Sequence, residues 1–444
     1  MSNFNIAIQV SIAILASILY YLIIKKLSNR YILKKGRIKY HPLELTLLYN
    51  ISFLSMPGVI LISFFNFDSW RYKGIDYSLL FEIGLWYFFS VFIITTIIYS
   101  LLFIFPLKNY IKYTHLEINY SKFKKGLWGL LLLSIFVVIF KYLILPKPPA
   151  MYFLTGDIAQ GYITRIDMQN NPSKYYLPYI KQFVELLIML QGYLGFYIYI
   201  NTPKKKIITV YFLLSFLLCL WESFYTGQKA PMFLYIAGLV FIYLSKYTVN
   251  LKVIISIILI PTGVFLLYTN IMELGDSDSL SSIVDRLFLG QNQGFYNIIA
   301  HIVPSDKYLF EGMPFINKFD IEPSRADIDI LPWIYGNRTD LVNSNSYFLG
   351  QAWSMYGYLG LFIAPFLVAI SIYLFIKIID YITPLNPIVI TPFLFYTVYD
   401  LRINQSFTYF IFAKTIILNL IFLLLILLIF RLFNAKFVLG KKNY

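Results

Sequence analysis

Residues 408–431 read TYFIFAKTIILNLIFLLLILLIFR, and from Ile416 to Phe430 the only polar side chain is that of Asn419. A run of about 20 apolar residues crosses the roughly 30 Å hydrocarbon layer of a bilayer as one α-helix. A membrane strand would instead alternate apolar and polar residues over about 10 positions, and this run does not. Closed barrels are the only other spanning structure that satisfies its own backbone, so a helix bundle is what the sequence predicts.

Working outward from this segment, further spans are expected at about 4–24, 43–65, 79–105, 127–145, 180–200, 207–224, 231–246, 253–270, 357–379 and 386–400. The composition agrees: of 444 residues, 59% are hydrophobic and 13% charged, against about 25% charged in a soluble domain. Residues Met1 to Asn5 contain no lysine or arginine, so the first run is expected to be a retained helix and not a cleaved secretory signal. Pro57 beside Gly58, Pro261 near Gly263, Pro365, and Pro387 with Pro392 fall within spans, where each removes a backbone donor and predicts a kink. No internal repeat is visible.

The net charge of +15 would suggest nucleic acid in a soluble protein, but here topology accounts for most of it. Lys25, Lys26, Lys34, Lys35 and Lys39 follow the first span, Lys108, Lys112, Lys122, Lys124 and Lys125 the third, and Lys204, Lys205 and Lys206 the fifth. Positive loops mark the cytoplasm, which places the N-terminus outside and the C-terminus inside. The opposite loops carry Arg71, Arg165, Arg286, Arg325, Arg338 and Arg402 with most of the acids. Two of these outer loops are long, about 35 residues at 146–179 and about 75 at 271–345, well past the 12 to 15 above which loops are functional or disordered. The second interleaves Phe288, Phe295, Tyr296, Phe315, Phe319, Trp333 and Tyr335 with its charges. That composition predicts a folded cap over a single membrane domain spanning 1–444.

Guanidinium groups match phosphate oxygens in bidentate fashion, so the outer arginines are candidates for an anionic headgroup or a diphosphate. The alternative is that Arg286 pairs with Asp285, and Arg325 and Arg338 with Asp327 or Asp340, as salt bridges within the cap. Of the three histidines, His301 alone lies on the outer side. It is either a general base or a hydrogen-bonded structural residue on a helix near 291–302. Glu185, Glu222 and Lys414 fall within or at the ends of apolar spans, where ionisable groups are functional candidates or snorkel to an interface. Cys219 is the only cysteine, so an intrachain disulfide is excluded. There is no HExxH, Walker loop or GxGxxG, and only Asp327 with Asp329 has ligand-like spacing. Neither a metal nor a cofactor is expected.

Thr226-Gly227-Gln228-Lys229, ahead of a span, is similar to a Gly-Ser-Arg turn with Lys229 in the basic position. Asn345-Ser346-Tyr347-Phe348-Leu349-Gly350-Gln351-Ala352, running into Tyr356-Gly357-Tyr358-Leu359-Gly360, leads from the large loop back into the membrane. With the two enlarged outer loops, these stretches resemble the bacterial O-antigen or oligosaccharide repeat-unit polymerases of the Wzy type, relatives of the O-antigen ligases. Arg325 followed eleven positions later by Gly336 meets a spacing common in that family's large loops. The chain departs from the family at the loop exit, where Ser344-Asn345 stands in place of a His-Asn pair.

The resemblance implies an all-α, GT-C-like bundle of about eleven helices in the bacterial cytoplasmic (inner) membrane. It also implies an inverting glycosyltransferase that joins repeat units of O-antigen or capsular polysaccharide, carried on undecaprenyl diphosphate, at the outer face; because arginines can replace a divalent ion in screening the leaving group, the enzyme is expected to be metal-independent. Membrane lipid, a chain-length regulator and a flippase are the implied partners, and nucleic acid is not. His301, Arg286 and Arg325 are the expected catalytic residues; Lys229, Arg338, Arg165, Arg402, Trp333 and Tyr335 are the expected substrate-binding residues. A lipid-linked oligosaccharide flippase and an O-antigen ligase remain the alternatives.

Overall fold

The computed structural model describes residues 3–32, 40–107, 120–176, 180–203, 206–247, 285, 288–313, 324–336, 344, 346–401, 403 and 406–434. All regular structure among them is helical. Eight helices there are long and apolar enough to cross a membrane, and two shorter apolar ones occupy Pro231–Lys246 and Pro387–Tyr396. The expected span at 253–270 lies outside the described residues. Many side chains on the outer faces of these helices are large and apolar, among them Phe103 at 74% and Leu143 at 79% exposure. Such surfaces are stable against hydrocarbon and not against water.

The chain forms two compact units. Unit 1 comprises 1–111, 275–381 and 400–416. Its central element is the segment Pro42–Phe65, most of which is buried. That segment is an α-helix to Leu47, a wider π-helical stretch over Leu48–Ser55, and an α-helix again over Met56–Phe65 with Pro57 in its first turn. A π-stretch just ahead of a proline is the local adjustment that accommodates the missing N–H. Asn50, inside the π-stretch, donates to the carbonyls of Thr46 (2.8 Å) and Leu401 (3.3 Å) and accepts from the Ile403 amide (3.1 Å). Each end of its amide is thus used to tie a distant loop to the core.

The helix Phe348–Ile382 contains a non-helical residue at Gly357. With φ at +58°, Gly357 is in a region costly for any residue with a Cβ. The glycine separates a buried approach helix from the spanning helix proper, so the described part of the loop-exit stretch, Ser346–Gly360, is a docking segment followed by a turn. The run at 408–431 is likewise divided. Phe407–Ile411 and Lys414–Asn434 are separate helices, broken at Ala413 with φ at +46°.

Unit 2 comprises 112–274, 382–399 and 417–444. Its helices Lys181–Asn201 and Lys206–Phe224 pack together, pinned by Gln191, which donates to Tyr211 Oη (2.6 Å) and Ser215 Oγ (3.1 Å). The described part of the long loop expected at 146–179 forms three short helices, Pro149–Leu154, Ile158–Asn170 and Pro172–Tyr175. Phe153 packs on Ala150 and Phe224, and Met168 and Tyr175 pack on Tyr225. Asp167 accepts from Asn171 Nδ2, Lys174 Nζ and Tyr175 Oη at 2.6–2.8 Å, which holds its carboxyl well below the usual range.

Candidate functional site

In unit 1 the loop between Phe65 and Tyr77 meets Asp285 and the segment 288–301 at one end of the spanning helices. The helix Gln293–His301 organises this layer, packing against Trp70–Tyr72, Ala326–Asp329 and Leu331–Tyr335. Its apolar side chains Phe295, Ile298 and Ile299 are buried, and so are its polar side chains Gln293 and Asn297.

At its N-terminal end sits Arg71. The guanidinium bonds to Asp285 through Nε (2.7 Å) and to Gln293 Oε1 through Nη1 (2.5 Å). Gln293 in turn donates to Tyr335 Oη, and Asn297 donates to the Arg71 carbonyl at 3.0 Å. Ser69 Oγ donates to the other Asp285 oxygen at 2.6 Å. The guanidinium also lies 4.4 Å from the centre of the Trp70 ring, whose edge contact to Tyr335 is 5.6 Å between centroids. With side-chain exposures of 12% and 13%, the Arg71–Asp285 pair is a partly desolvated strut joining two loops.

At the C-terminal end His301 stacks flat on Trp333, centroids 4.7 Å apart and planes within 2°. Trp333 is nevertheless 66% exposed, so its other face is open to a ligand. A helix C-terminus favours a cationic imidazole, but burial wins and pushes the His301 pKa below its ordinary value. The neutral, proton-accepting form therefore prevails at neutral pH.

Nearby elements carry two surface pairs, Lys307–Asp329 at 3.1 Å and Arg325–Asp327 at 2.6 Å. Arg325 gives Asp327 its Nε and Nη2. A guanidinium has five N–H bonds, and three have no partner among the described residues. Glu311 is buried beneath these groups at 7% exposure, beside Gln351, Asp327, Arg325 and the Ala326 amide. Burial outweighs these polar neighbours and pushes its carboxyl up to about 7.

The expected site residues thus divide. His301, Trp333, Tyr335 and Arg325 belong to unit 1, with His301 and Trp333 in direct contact; Arg165 and Lys229 belong to unit 2. Lys229 opens the helix Lys229–Lys246. The turn ahead of it has Gly227 at φ +66°, packed so closely under Phe153 that a Cβ there would come within 2.2 Å of the ring. Arg165 is half-buried on the helix Ile158–Asn170, with no partner among the described residues. Arg286, Arg338 and Arg402 lie outside the described residues.

Arg325 pairs with Asp327, as the salt-bridge alternative anticipates, and Asp285 pairs with Arg71; the expected Arg286–Asp285 pair involves a residue outside the described ones. Sequence reasoning counted Arg71 among the outer arginines without naming it as a site residue, and did not select Trp70, Gln293 and Glu311. The Trp-Arg-Tyr triplet at 70–72, in a loop of about a dozen residues between two spans, was the available signal. Unit 2 holds a second polar group among its spans. Lys141 Nζ bonds Glu222 Oε1 and sits 3.3 Å from the Tyr225 ring centre.

No family model, no curated protein and no solved structure matches this chain.

Proposed function

We propose that this chain is a polymerase that joins lipid-linked oligosaccharide repeat units on the outer face of a bacterial cytoplasmic membrane. The reading rests on one observation: an exposed indole, Trp333, lies flat on a neutral imidazole in an extramembrane layer that also offers the unspent N–H groups of Arg325. An indole face suits the C–H face of a pyranose, a neutral imidazole accepts a hydroxyl proton, and a guanidinium takes up charge on a departing diphosphate.

In the proposed reaction the acceptor sugar's hydroxyl oxygen attacks the anomeric carbon of the donor glycan and its proton passes to His301. The bond from that carbon to the diphosphate oxygen breaks with inversion, and undecaprenyl diphosphate leaves with the electron pair. Arg325 stabilises the leaving group, with Arg286 and Arg338 of the same loop as the sequence-based candidates beside it. Lys229, Arg165 and Arg402 stand as candidate contacts to the lipid-linked substrates. Arginines in this role replace a divalent ion, so activity is expected to persist in EDTA.

The test is extension of a lipid-linked repeat unit by the purified protein, repeated with His301→Ala, Arg325→Ala and Trp333→Ala. Unchanged polymerisation by all three variants would refute the site, and loss of activity in EDTA restored by magnesium would refute the metal-free mechanism.

A second reading, a lipid-linked oligosaccharide flippase, draws support from the Lys141–Glu222 pair, because ionisable groups within spans often mark a transport path. Gene deletion separates the readings. Loss of a polymerase leaves single repeat units on the cell surface, loss of a flippase leaves none, and loss of a ligase leaves full chains on the lipid carrier.

A further inference from the structure

Beside the Arg71 strut, unit 1 holds an open cavity of about 650 Å³ whose lining includes Asp68, Ser69, Trp70, Lys73 and Asp285. This volume is within the roughly 300–1,000 Å³ typical of small-molecule sites. We propose that the cavity is a neutral-pyranose subsite, in which a sugar stacks on Trp70 and its hydroxyls bond to Asp68, Lys73 and Asp285. It rests on the polymerase reading only for its role, that of holding the acceptor sugar; the binding itself does not depend on that reading.

Four features carry the assignment. Trp70 is 53% exposed although its ring is already fixed by the Arg71 guanidinium and the Tyr335 edge. It is a preorganised platform, and ordering it costs a ligand little. Asp285 spends one contact per oxygen, on Ser69 and on Arg71, while a carboxylate accepts about four, so acceptor capacity remains.

Asp68 and Lys73 are both exposed and neither has a partner among the described residues. They can therefore turn to a ligand without breaking an existing bond. The charges decide the class of ligand. Asp68 and Asp285 oppose Lys73 and the Arg71 bound to Asp285, leaving no net charge, and the free acceptors outnumber the one free cation. That balance offers no excess of positive charge to hold a diphosphate and suits a molecule rich in hydroxyl donors. The cavity is thus chemically distinct from the region of Arg325, and the two would serve acceptor sugar and leaving group respectively.

The test uses full-length protein in phosphatidylcholine nanodiscs, with its six tryptophans replaced by 5-fluorotryptophan and followed by fluorine NMR. Trp70→Phe assigns the Trp70 resonance, and the dispersion of the remaining signals reports that the variant is folded. The probes are the methyl glycosides of glucose, galactose, mannose and N-acetylglucosamine, with glycerophosphoethanolamine as the headgroup comparison.

A saturable shift of the Trp70 signal by at least one glycoside is expected, with a dissociation constant on the order of millimolar for so small a ligand. Asp68→Asn, which swaps a charged acceptor for a neutral one at an exposed position, should weaken it about fivefold. No saturable shift with any glycoside, or a shift with glycerophosphoethanolamine alone, would overturn the assignment. Glycoside binding by a protein that fails to polymerise would support the subsite while refuting the polymerase. Polymerisation without a Trp70 shift would refute the subsite alone.

Discussion

Replacing Glu311 by glutamine should make the layer around the helix Gln293–His301 in unit 1 progressively more stable than the native protein as pH rises. The folded carboxyl holds its proton to about pH 7 against an ordinary 4.5, so folding takes up a proton between those values. In that window the unfolded chain ionises while the folded one does not, and stability falls with rising pH until the loss is complete above about pH 7. At 1.36 kcal/mol per pH unit of difference, the cost is about 1 kcal/mol at pH 5 and about 3 kcal/mol at pH 8. Glutamine keeps the shape and carries no charge, so the variant escapes this dependence. Amide hydrogen exchange across 301–313 provides the assay, as the ratio of native to variant exchange at each pH, in which intrinsic rates cancel. From pH 5 to 8 the ratio should rise by about 70-fold, the equivalent of about 2.5 kcal/mol. A ratio that stays flat, or falls, would show that Glu311 is ionised in the folded protein and that the balance of burial over its polar neighbours has been misjudged.

His301→Ala should lower the rate of repeat-unit extension by about 10²–10⁴, and the acid limb of the native pH profile should lie below the ordinary imidazole value of about 6.5. A native acid limb above that value would contradict the burial argument. Arg325→Ala should cost about 10²-fold or more in turnover and less than about 1 kcal/mol in stability, because its pair with Asp327 is largely exposed; thermal unfolding alongside the assay separates the two effects. Lys141→Met should destabilise unit 2 by about 3–5 kcal/mol, and adding Glu222→Leu should recover most of that, because a buried charge is costly chiefly when left alone. A double variant no better than the single, in detergent unfolding titrations, would refute that account.

What the sequence made legible follows from the range of the interactions involved. Spanning segments are written in their own residues, and those at 43–65, 79–105, 180–200 and 207–224 correspond to helices of the structure within a few residues. The break at Ala413 was not legible. Hydropathy averages over a window, and nothing in Phe412-Ala413-Lys414 announces a residue at positive φ. The break at Gly357 sits on a residue type that permits it, within the loop-exit stretch that attracted notice. Among the polar pairs, Arg325–Asp327 is two residues apart and was anticipated. Arg71 reaches Asp285 across 214 positions, and no local rule points to a partner so distant in sequence. The flat contact of His301 and Trp333 is of the same long-range kind: both residues were selected, for a base and for a sugar platform, but their stacking was not.

The two readings of function also differ in what they ask of the charges already present. Transport through the Lys141–Glu222 pair would require both groups to exchange partners during each cycle. With side-chain exposures of 5% each and Tyr225 against the ammonium, opening that pair costs about 3–5 kcal/mol unless the substrate replaces every contact. The groups around the helix Gln293–His301 in unit 1 face no such barrier. Arg325 is 46% exposed and still holds unspent donors, Trp333 has an open face, and the His301 imidazole is already the neutral base. Glycosyl transfer would therefore use side chains that change partners at a cost near that of surface salt bridges, about 0–1 kcal/mol each. Transfer asks less of this chain than carriage does, and the closed ion pair in unit 2 is then a device of assembly, holding two spanning helices in register.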